Sequence, residues 1–340
     1  MRHMTDSHRA ILLTDRPRGK LNVGHFREIT LPPPGEPGPG EVLCRTILLS
    51  ISPGSRAWMQ QSTYRDELRA GEPMSGYTLA EVVAENGTGI TPGTIVSCEG
   101  AWQTYSLLPA ASVQRVDVRG PLTHHMSVFG ATGLTAYFGM HGLGTPRRGE
   151  TVVVSAAAGA TGSVAGQIAR RAGARVVGIT GSDAKNRLLE AELGFDATVN
   201  HRSASFEKDL AEECGGGIDV YFDSVGGRIL ETALHNMNLH GRVVCCGAVS
   251  QYDGPAGSPG PANVPTVLVT KRLAMQGFIV FDFAESFPAA LSDLEAWVSA
   301  GDVKVLEDVR EGLQSAPSAL VDLLSGGNVG KLMVRVGPDS

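Results

Sequence analysis

The sequence predicts an α/β protein of two domains, one mostly antiparallel β and one built on a doubly wound parallel sheet. The chain has 340 residues, more than one small domain usually contains. Between Arg9 and Pro121, short β-type runs are separated by turn residues, whereas after Thr123 strand-like and helix-like segments alternate. This change of pattern predicts the two domains.

The first domain is expected to be mostly β. Residues 41–49 and 79–83 form apolar runs of strand length. The Pro- and Gly-rich stretch 32–40 and the pairs Asn86-Gly87 and Pro92-Gly93 are strong turn signals. Short strands joined by turns of this kind favour antiparallel pairing.

The second domain alternates strands with helices. We expect strands at residues 151–155, 175–180 and 218–223 and helices at 163–172 and 183–193. Because βαβ units joined by right-handed crossovers form a parallel sheet, this pattern predicts a Rossmann-type domain. Residues 330–336 suit a final strand, which periodicity leaves with either domain. The Pro- and Gly-rich residues 255–265 predict a loop.

Composition indicates an ordinary soluble globular protein. The hydrophobic fraction is 42% and the charged fraction 19%. A formal net charge of −6 argues against a basic face for nucleic acid or an anionic membrane. We therefore expect neither among its partners.

The cysteines and the first residues indicate a reducing compartment. The five cysteines are odd in number and their only close pair, Cys245 and Cys246, is adjacent, so no disulfide framework is indicated. Residues 1–9 are polar and lack the apolar run of a secretory signal, and no segment approaches the roughly 18 apolar residues of a membrane span. We expect a cytoplasmic protein.

A glycine-rich turn marks a dinucleotide site in the second domain. The strand residues 152–154 run directly into Ala-Ala-Ala-Gly-Ala-Thr-Gly at 156–162, and a helix is expected to begin near Ser163. Gly159 lets the backbone approach a pyrophosphate, and Gly162 lets the helix begin close to the strand. The helix N-terminus then offers N–H groups to the phosphates. The alternative is a tight turn without a ligand.

The next strand indicates which cofactor binds. It ends in Gly181 and Ser182, where NAD-selective domains usually place a carboxylate for the ribose 2′-hydroxyl. Lys185 and Arg187 follow and suit a 2′-phosphate, so we favour NADPH over NADH. The alternative is NADH. Asp183 favours it, and Lys185 would then be a solvated surface charge.

The sequence predicts no metal site. His124 and His125 are adjacent and so cannot easily converge on one ion, and Cys245 and Cys246 are expected on a buried strand. A metal-free site favours hydride addition to a conjugated C=C bond over oxidation of an unactivated alcohol.

Tyr252 is the candidate catalytic residue. When hydride adds to the β-carbon of an enone, negative charge develops on the carbonyl oxygen, and a hydroxyl can stabilise it. Tyr252 follows the predicted strand 242–246, at the end of a parallel strand where the cofactor crevice lies. The alternative is a tyrosine that anchors its loop.

With these motifs, the sequence resembles the medium-chain dehydrogenase/reductase superfamily. Within it, the sequence is similar to the zinc-free group of leukotriene B4 dehydrogenases and prostaglandin reductases, which includes plant 2-alkenal double-bond reductases and bacterial curcumin reductase. The resemblance covers nearly the whole chain and is carried by residues 130–139, 156–167, 181–185, 193–196, 222–227, 246–252 and 327–331.

The resemblance implies a GroES-like, mostly-β catalytic domain formed by residues 1–126 and 308–340, with a Rossmann domain at 127–307 inserted into it. It also implies NADPH as cofactor. The implied contacts are Gly159, Ala160, Thr161 and Gly162 at the pyrophosphate, Lys185 at the 2′-phosphate, Cys246, Gly247, Ala248, Val249, Ser250, Tyr252, Phe278, Ile279 and Val280 at the nicotinamide half, and Asn328 as a further contact. Gly181 and Ser182, at the end of the preceding strand, are also kept as cofactor residues.

The sequence departs from the family pattern in three places. His201 stands where the family has a tyrosine beside the adenosine phosphate, and Ser224 stands where asparagine is frequent; both are kept as cofactor residues. Residues 52–59, Ser-Pro-Gly-Ser-Arg-Ala-Trp-Met, replace a stretch like Asp-Pro-Tyr-Met-Arg, so we expect a reshaped substrate pocket.

Together these features predict an NADPH-dependent reductase of α,β-unsaturated ketones or aldehydes, and the resemblance implies a homodimer. Tyr64, Trp102 and Tyr252 are candidates to line an apolar pocket between the domains, each alternatively a packing residue. The enzyme alternatives are a quinone oxidoreductase and an allylic alcohol dehydrogenase. The non-enzyme alternative is a catalytically silent NADPH-binding redox sensor.

Overall fold

A computed structural model of the chain describes residues 7–253 and 260–338. The chain divides into two compact units. The first comprises Met1–Met126, Asp308–Gly327 and Leu332–Ser340, and the second Ser127–Glu307 and Asn328–Lys331. Residues 328–331, which the resemblance assigned to the catalytic domain, therefore belong with the second unit.

The first unit is mostly antiparallel β, as expected. The predicted runs 41–49 and 79–83 are confirmed as two long strands that pair antiparallel, with Cys44 opposite Val82. The elements are β1 (Arg9–Leu13), β2 (Phe26–Thr30), β3 (Glu41–Ser50), α1 (Gly54–Trp58), β4 (Thr78–Glu85), β5 (Ile95–Cys98), β6 (Tyr105–Pro109) and β7 (Gln114–Arg115).

The second unit is a six-stranded parallel sheet with helices on both faces, which confirms the Rossmann prediction. In chain order its elements are α2 (Ala131–Phe138), β8 (Thr151–Val154), α3 (Ala160–Arg171), β9 (Arg175–Thr180), α4 (Asp183–Leu193), β10 (Ala197–Asn200), α5 (Phe206–Glu213), β11 (Ile218–Asp223), α6 (Gly227–Asn236), β12 (Met237–Cys245), α7 (Val264–Lys271), β13 (Ala274–Gly277) and α8 (Phe287–Ser299). The spatial order β10-β9-β8-β11-β12-β13 is that of a doubly wound dinucleotide-binding sheet.

Both faces of this sheet are covered, and the central strands β8 and β11 place apolar residues on each face. Val152 and Val154 of β8 pack in one hydrophobic cluster together with Phe222 of β11. Val153 and Tyr221, which point to the opposite face, pack in another. A strand without polar alternation can be buried only between two layers of helices.

The end of the chain returns to the antiparallel sheet of the first unit. It forms β14 (Glu307–Glu311), α9 (Ala316–Leu324) and β15 (Lys331–Arg335). β15 pairs antiparallel with β3, with Met333 opposite Ser50, in the order β14-β15-β3-β4-β5-β7, while β6 pairs with the other part of β3. The final strand therefore belongs to the sheet of the first unit, a placement that periodicity left open.

Two local predictions needed correction. The helix expected at 163–172 begins at Ala160, because the glycine turn leads directly into it. The loop expected at 255–265 lies partly outside the described residues, and its last two residues, Val264 and Pro265, instead begin α7. Proline is tolerated there because the first helical turn needs no donor from it.

The helices are short. The longest, α8, has 13 residues. Of the helices in residues 7–253 and 260–338, none combines the length and apolarity needed to cross a membrane.

Candidate functional site

The residues predicted to bind the cofactor follow the ends of successive parallel strands. In a parallel sheet all carboxyl ends meet at one edge, where such folds bind ligands. From one side of the sheet to the other, these residues are His201 after β10, Gly181 and Ser182 after β9, Gly159 to Gly162 after β8, Ser224 after β11, Cys246 to Tyr252 after β12, and Phe278 to Val280 after β13.

The glycine turn brings α3 against the end of β8. The N–H of Gly159 donates to the carbonyl of Ala156 at 2.8 Å. A Cβ on Gly162 would lie 2.5 Å from that same oxygen, so any other residue would displace the helix. Among the described residues no side chain caps this helix end, and its first turn holds no acidic residue. Its N–H groups and its positive end therefore suit an anionic group.

Asn328 lies next to this turn, on the segment that joins the second unit late in the chain. Gly330 donates its N–H to the carbonyl of Ala158 at 2.7 Å, and the amide of Asn328 donates to the carbonyl of Gly330 at 2.8 Å. Gly330 has a φ of +69°, and a Cβ there would lie 2.0 Å from the carbonyl of Leu306. Asn328 is buried and stabilises the backbone beside the glycine turn.

The ends of β9 and β10 form a second group of predicted residues. Ser182 caps α4, where its hydroxyl accepts the N–H of Lys185 at 3.4 Å. A Cβ on Gly181 would lie 3.1 Å from Nε2 of His201 and 3.3 Å from Nε of Arg202. Glycine thus leaves the space in which the two basic side chains converge.

Asp183, the residue that favoured NADH, has a structural partner. Its carboxylate accepts the amide N–H of Asn200 at 2.8 Å, and the carbonyl oxygen of that amide accepts the N–H of Arg202 at 3.0 Å. Asp183 therefore stabilises the end of β10, the strand end that carries His201 and Arg202.

Positive charge concentrates around His201. Burial lowers the pKa of His201, and the nearby charges of Arg202, Arg228 and Lys185 lower it further. Arg228 also forms an ion pair with Glu207 at 2.6 Å. Sequence reasoning missed Arg202 and Arg228. The only available signal was that Arg202 follows His201 directly at a strand end.

The segment from Cys246 to Tyr252 folds back on itself after β12. The hydroxyl of Tyr252 accepts the N–H of Ala248 at 3.2 Å, and a Cβ on Gly247 would lie 3.5 Å from that hydroxyl. The hydroxyl of Ser250 donates to the carbonyl of Val225 at 2.6 Å, which attaches this segment to the end of β11. Tyr252 thus lies on a loop with defined contacts to the neighbouring strand end.

The remaining predicted residues on this side of the sheet surround the same loop. Burial raises the pKa of the Cys246 thiol to about 12, while the adjacent Ser224 hydroxyl opposes that shift. Such a thiol stays protonated at neutral pH and is a poor nucleophile. After β13, Phe278 and Ile279 are half-buried and Val280 is buried. A Cβ on Gly139 would lie 3.1 Å from the Phe278 ring.

Tyr64 and Trp102, the other candidates for the substrate pocket, belong to the first unit. Trp102 is fully buried in a hydrophobic cluster and stacks on Phe26 at a centroid distance of 5.7 Å. Its alternative role as a packing residue is therefore the one the structure supports. Tyr64 is 60% exposed and contacts Trp58 edge to face at 5.9 Å.

The His, Cys, Asp and Glu side chains of the described residues are the groups that could hold a metal ion. Within residues 7–253 and 260–338, no three His, Cys, Asp or Glu side chains are grouped as a metal site requires. His125 lies with its Nε2 2.9 Å from the N–H of Arg119. Cys44, Cys98 and Cys214 are buried.

The order of the parallel sheet and the glycine turn after its first strand define a protein with a Rossmann-type dinucleotide-binding unit. The family model described as zinc-binding dehydrogenase matches residues 160–296, and the model described as N-terminal domain of oxidoreductase matches residues 9–116. These two matches correspond to the second and the first unit.

Similar proteins extend over nearly the whole chain. The NADP(+)-dependent 2-alkenal reductase of Nicotiana tabacum is 38% identical over 88% of each chain. The NADPH-dependent curcumin reductase of Escherichia coli is 34% identical over 96% of each chain. The crystal structure of CurA from Vibrio vulnificus in complex with NADPH has a TM-score of 0.93 at 34% identity, covering 97% of this chain and 100% of that one. The chain belongs to the medium-chain dehydrogenase/reductase superfamily, in its group of alkenal and enone reductases.

Proposed function

We propose that this protein is an NADPH-dependent reductase of the conjugated C=C bond in α,β-unsaturated ketones or aldehydes, working in the cytoplasm. The observation that carries the proposal is the row of glycine, basic and hydroxyl residues along the carboxyl edge of the parallel sheet. The names of the related 2-alkenal, prostaglandin and pulegone reductases support the same type of reaction.

The second unit fits NADPH from one side of this edge to the other. The turn from Gly159 to Gly162 suits the pyrophosphate, since it combines close backbone approach with a helix N-terminus. Lys185 and Arg202 suit the 2′-phosphate because a dianion stabilises nearby cations, and the His201 ring beside them offers a further hydrogen-bonding group. The crystallised relative from Vibrio vulnificus binds NADPH.

When bound, NADPH supplies a hydride to the β-carbon of the substrate, and a proton added at the α-carbon completes the saturated carbonyl compound. The negative charge that develops in between lies on the carbonyl oxygen. We assign its stabilisation to the hydroxyl of Tyr252. Because the Tyr252 oxygen accepts the N–H of Ala248 at 3.2 Å, its own O–H is polarised to donate to that oxygen.

A hydroxyl donor at this position makes a zinc ion unnecessary. In a zinc-dependent dehydrogenase a metal ion stabilises the charged oxygen, and it needs three or four protein ligands. The imidazole and thiol groups of the described residues are not arranged for that purpose. The reaction proposed here is therefore zinc-independent.

A homodimer formed through the edge of the parallel sheet is also proposed. β13 is the last strand of that sheet, and Ala274, Gln276 and Gly277 on it are exposed. The preceding helix α7 carries Val269, which is 75% exposed. A second copy that adds its own edge strand would cover these groups. Light scattering during gel filtration should give about twice the chain mass of 35.7 kDa, and the mass of a single chain at micromolar concentration would reject the dimer.

The function is tested by following NADPH oxidation with a panel of long-chain enones, 2-alkenals, quinones and simple ketones, with NADH run in parallel. Turnover of enones or enals with a strong preference for NADPH supports the proposal. Turnover of quinones alone would make the protein a quinone oxidoreductase, and oxidation of allylic alcohols without enone reduction would make it an alcohol dehydrogenase. NADPH binding without turnover of any compound would identify a non-catalytic sensor.

A further inference from the structure

A carboxylate is buried at the end of β11, the strand beside the point where the order of the sheet reverses. Asp223 is 2% exposed. Its Oδ1 accepts the hydroxyls of Ser155 at 3.1 Å and Tyr221 at 3.0 Å, and the N–H groups of Val225 and Gly226 at 3.0 Å. Burial raises the pKa of Asp223, and these donors oppose the shift. Four hydrogen-bond donors thus point at one oxygen, an arrangement that suits a carboxylate as the acceptor.

Asp223 connects the ends of three neighbouring strands. Its side chain binds Ser155, which directly follows β8, and the Ser155 hydroxyl also accepts the N–H of Ser224 at 2.8 Å. Its backbone carbonyl accepts the N–H groups of Cys246 at 2.7 Å and Gly247 at 3.1 Å, at the end of β12. The crevice at this point of a doubly wound sheet is where the dinucleotide binds.

Residues 224–226 form the turn that Asp223 stabilises, and this turn also holds the loop that carries Tyr252. The carbonyl of Val225 accepts both the N–H of Ser250 at 3.1 Å and its hydroxyl at 2.6 Å. The carbonyl of Ser224 accepts the N–H of Val249 at 3.2 Å. Without the carboxylate, the N–H groups of residues 225 and 226 lose their acceptor, and the carbonyls that hold the loop lose their fixed direction.

We propose that Asp223 is a positioning residue that fixes the loop from Cys246 to Tyr252 for the nicotinamide half of NADPH. The proposal deepens the proposed function and rests on its NADPH site. Asp223 acts through Val225 and Ser250. The residues assigned to the 2′-phosphate, Lys185 after β9 and His201 and Arg202 after β10, lie on the other side of β8. Its removal should therefore affect the two halves of the cofactor differently.

The test compares affinities for NADPH and for adenosine 2′,5′-bisphosphate, which carries only the adenosine and phosphate half. Asp223→Asn keeps the shape of the side chain and removes its charge. We expect about a tenfold weaker Kd for NADPH and an unchanged Kd for the bisphosphate, because the hydrogen bonds to the turn lose the charge of their acceptor. Enone turnover should fall by about 10- to 100-fold, since small misplacements at a reacting centre have effects of this size.

The same strand offers a matched control. Asp219, at the amino end of β11, accepts the N–H of Thr151 and the amide of Asn238, both at 2.8 Å. Asp219 thus joins β8, β11 and β12 at the amino ends of these strands, about 13 Å from Asp223. Asp219→Asn should lower the melting temperature without changing either affinity or turnover.

Equal loss of both ligands in Asp223→Asn, or equal kinetics in the two Asn variants, would overturn the positioning role. If Asp223→Asn does not fold, Ser155→Ala replaces it, with the same selective loss of NADPH affinity expected at about threefold. An unchanged NADPH affinity in Ser155→Ala would then count against the proposal. Wild-type protein that binds NADPH but reduces no enone would contradict the proposed function alone, since the comparison of affinities requires no turnover.

Discussion

Replacing Tyr252 with phenylalanine is expected to lower kcat for enone reduction by about 10²- to 10³-fold, the usual effect of losing one donor to a developing oxyanion. The Kd for NADPH should change by less than about twofold, because the ring and the loop remain in place. The variant loses only the hydroxyl that accepts the N–H of Ala248 at 3.2 Å. Stopped-flow or steady-state turnover and fluorescence titration of NADPH measure the two quantities.

Tyr137→Phe is the matched control for this substitution. Its hydroxyl donates to Asp293 at 2.6 Å, in a stacked aromatic group with His141 and Trp297 on the second unit. Removing that hydroxyl should affect stability slightly and turnover not at all. If Tyr252→Phe behaves in the same way, Tyr252 is a loop anchor and the group that stabilises the charged carbonyl oxygen must be sought elsewhere.

Lys185→Ala should raise KM for NADPH by about 10- to 100-fold and leave KM for NADH nearly unchanged. A hydrogen bond to a charged group contributes about 1.5–3 kcal/mol, and each 1.4 kcal/mol corresponds to a tenfold change. NADH lacks the 2′-phosphate, so it cannot lose that interaction. Steady-state kinetics with both cofactors at saturating enone measure the ratio directly.

Arg187→Ala is the control for general electrostatics. The sequence pattern suited Arg187 to the 2′-phosphate as well, but Arg187 is exposed on the same helix and is not among the charges that act on His201. Both substitutions remove one positive charge from α4, yet only Lys185 contributes to the charge around His201. Equal effects of the two substitutions, or equal effects of Lys185→Ala on NADPH and NADH, would remove the assigned role. The selectivity would then rest on Arg202.

Local patterns predicted the parallel sheet and its glycine turn well. Val152, Val153 and Val154 are apolar without alternation, so their strand had to be covered on both faces. A side chain at position 162 would clash with the carbonyl of Ala156 in the same turn, so this position needs glycine. Such constraints act between residues close in the chain, and a local window of sequence therefore contains them.

Sequence reasoning predicted only part of the group of basic residues around His201. Lys185 was predicted because it follows the strand that selects the cofactor, whereas Arg202 at the end of β10 and Arg228 on α6 act on the same histidine from other parts of the chain. Trp102 was proposed for a pocket, but Phe26 and the rest of its cluster enclose it completely. Whether basic side chains converge, and whether a tryptophan is buried, depends on residues that are distant in the chain.

The sequence by itself determined the class of fold, the position of the glycine turn and the strand ends at which the predicted site residues lie, because periodicity and glycine requirements are local. Only the tertiary structure decided that β15 pairs with β3, that residues 328–331 lie against the glycine turn, and that Asp223 joins three strand ends. Each of these contacts joins segments far apart in the chain. Their free energy depends on which surfaces meet after folding, and no local pattern records that.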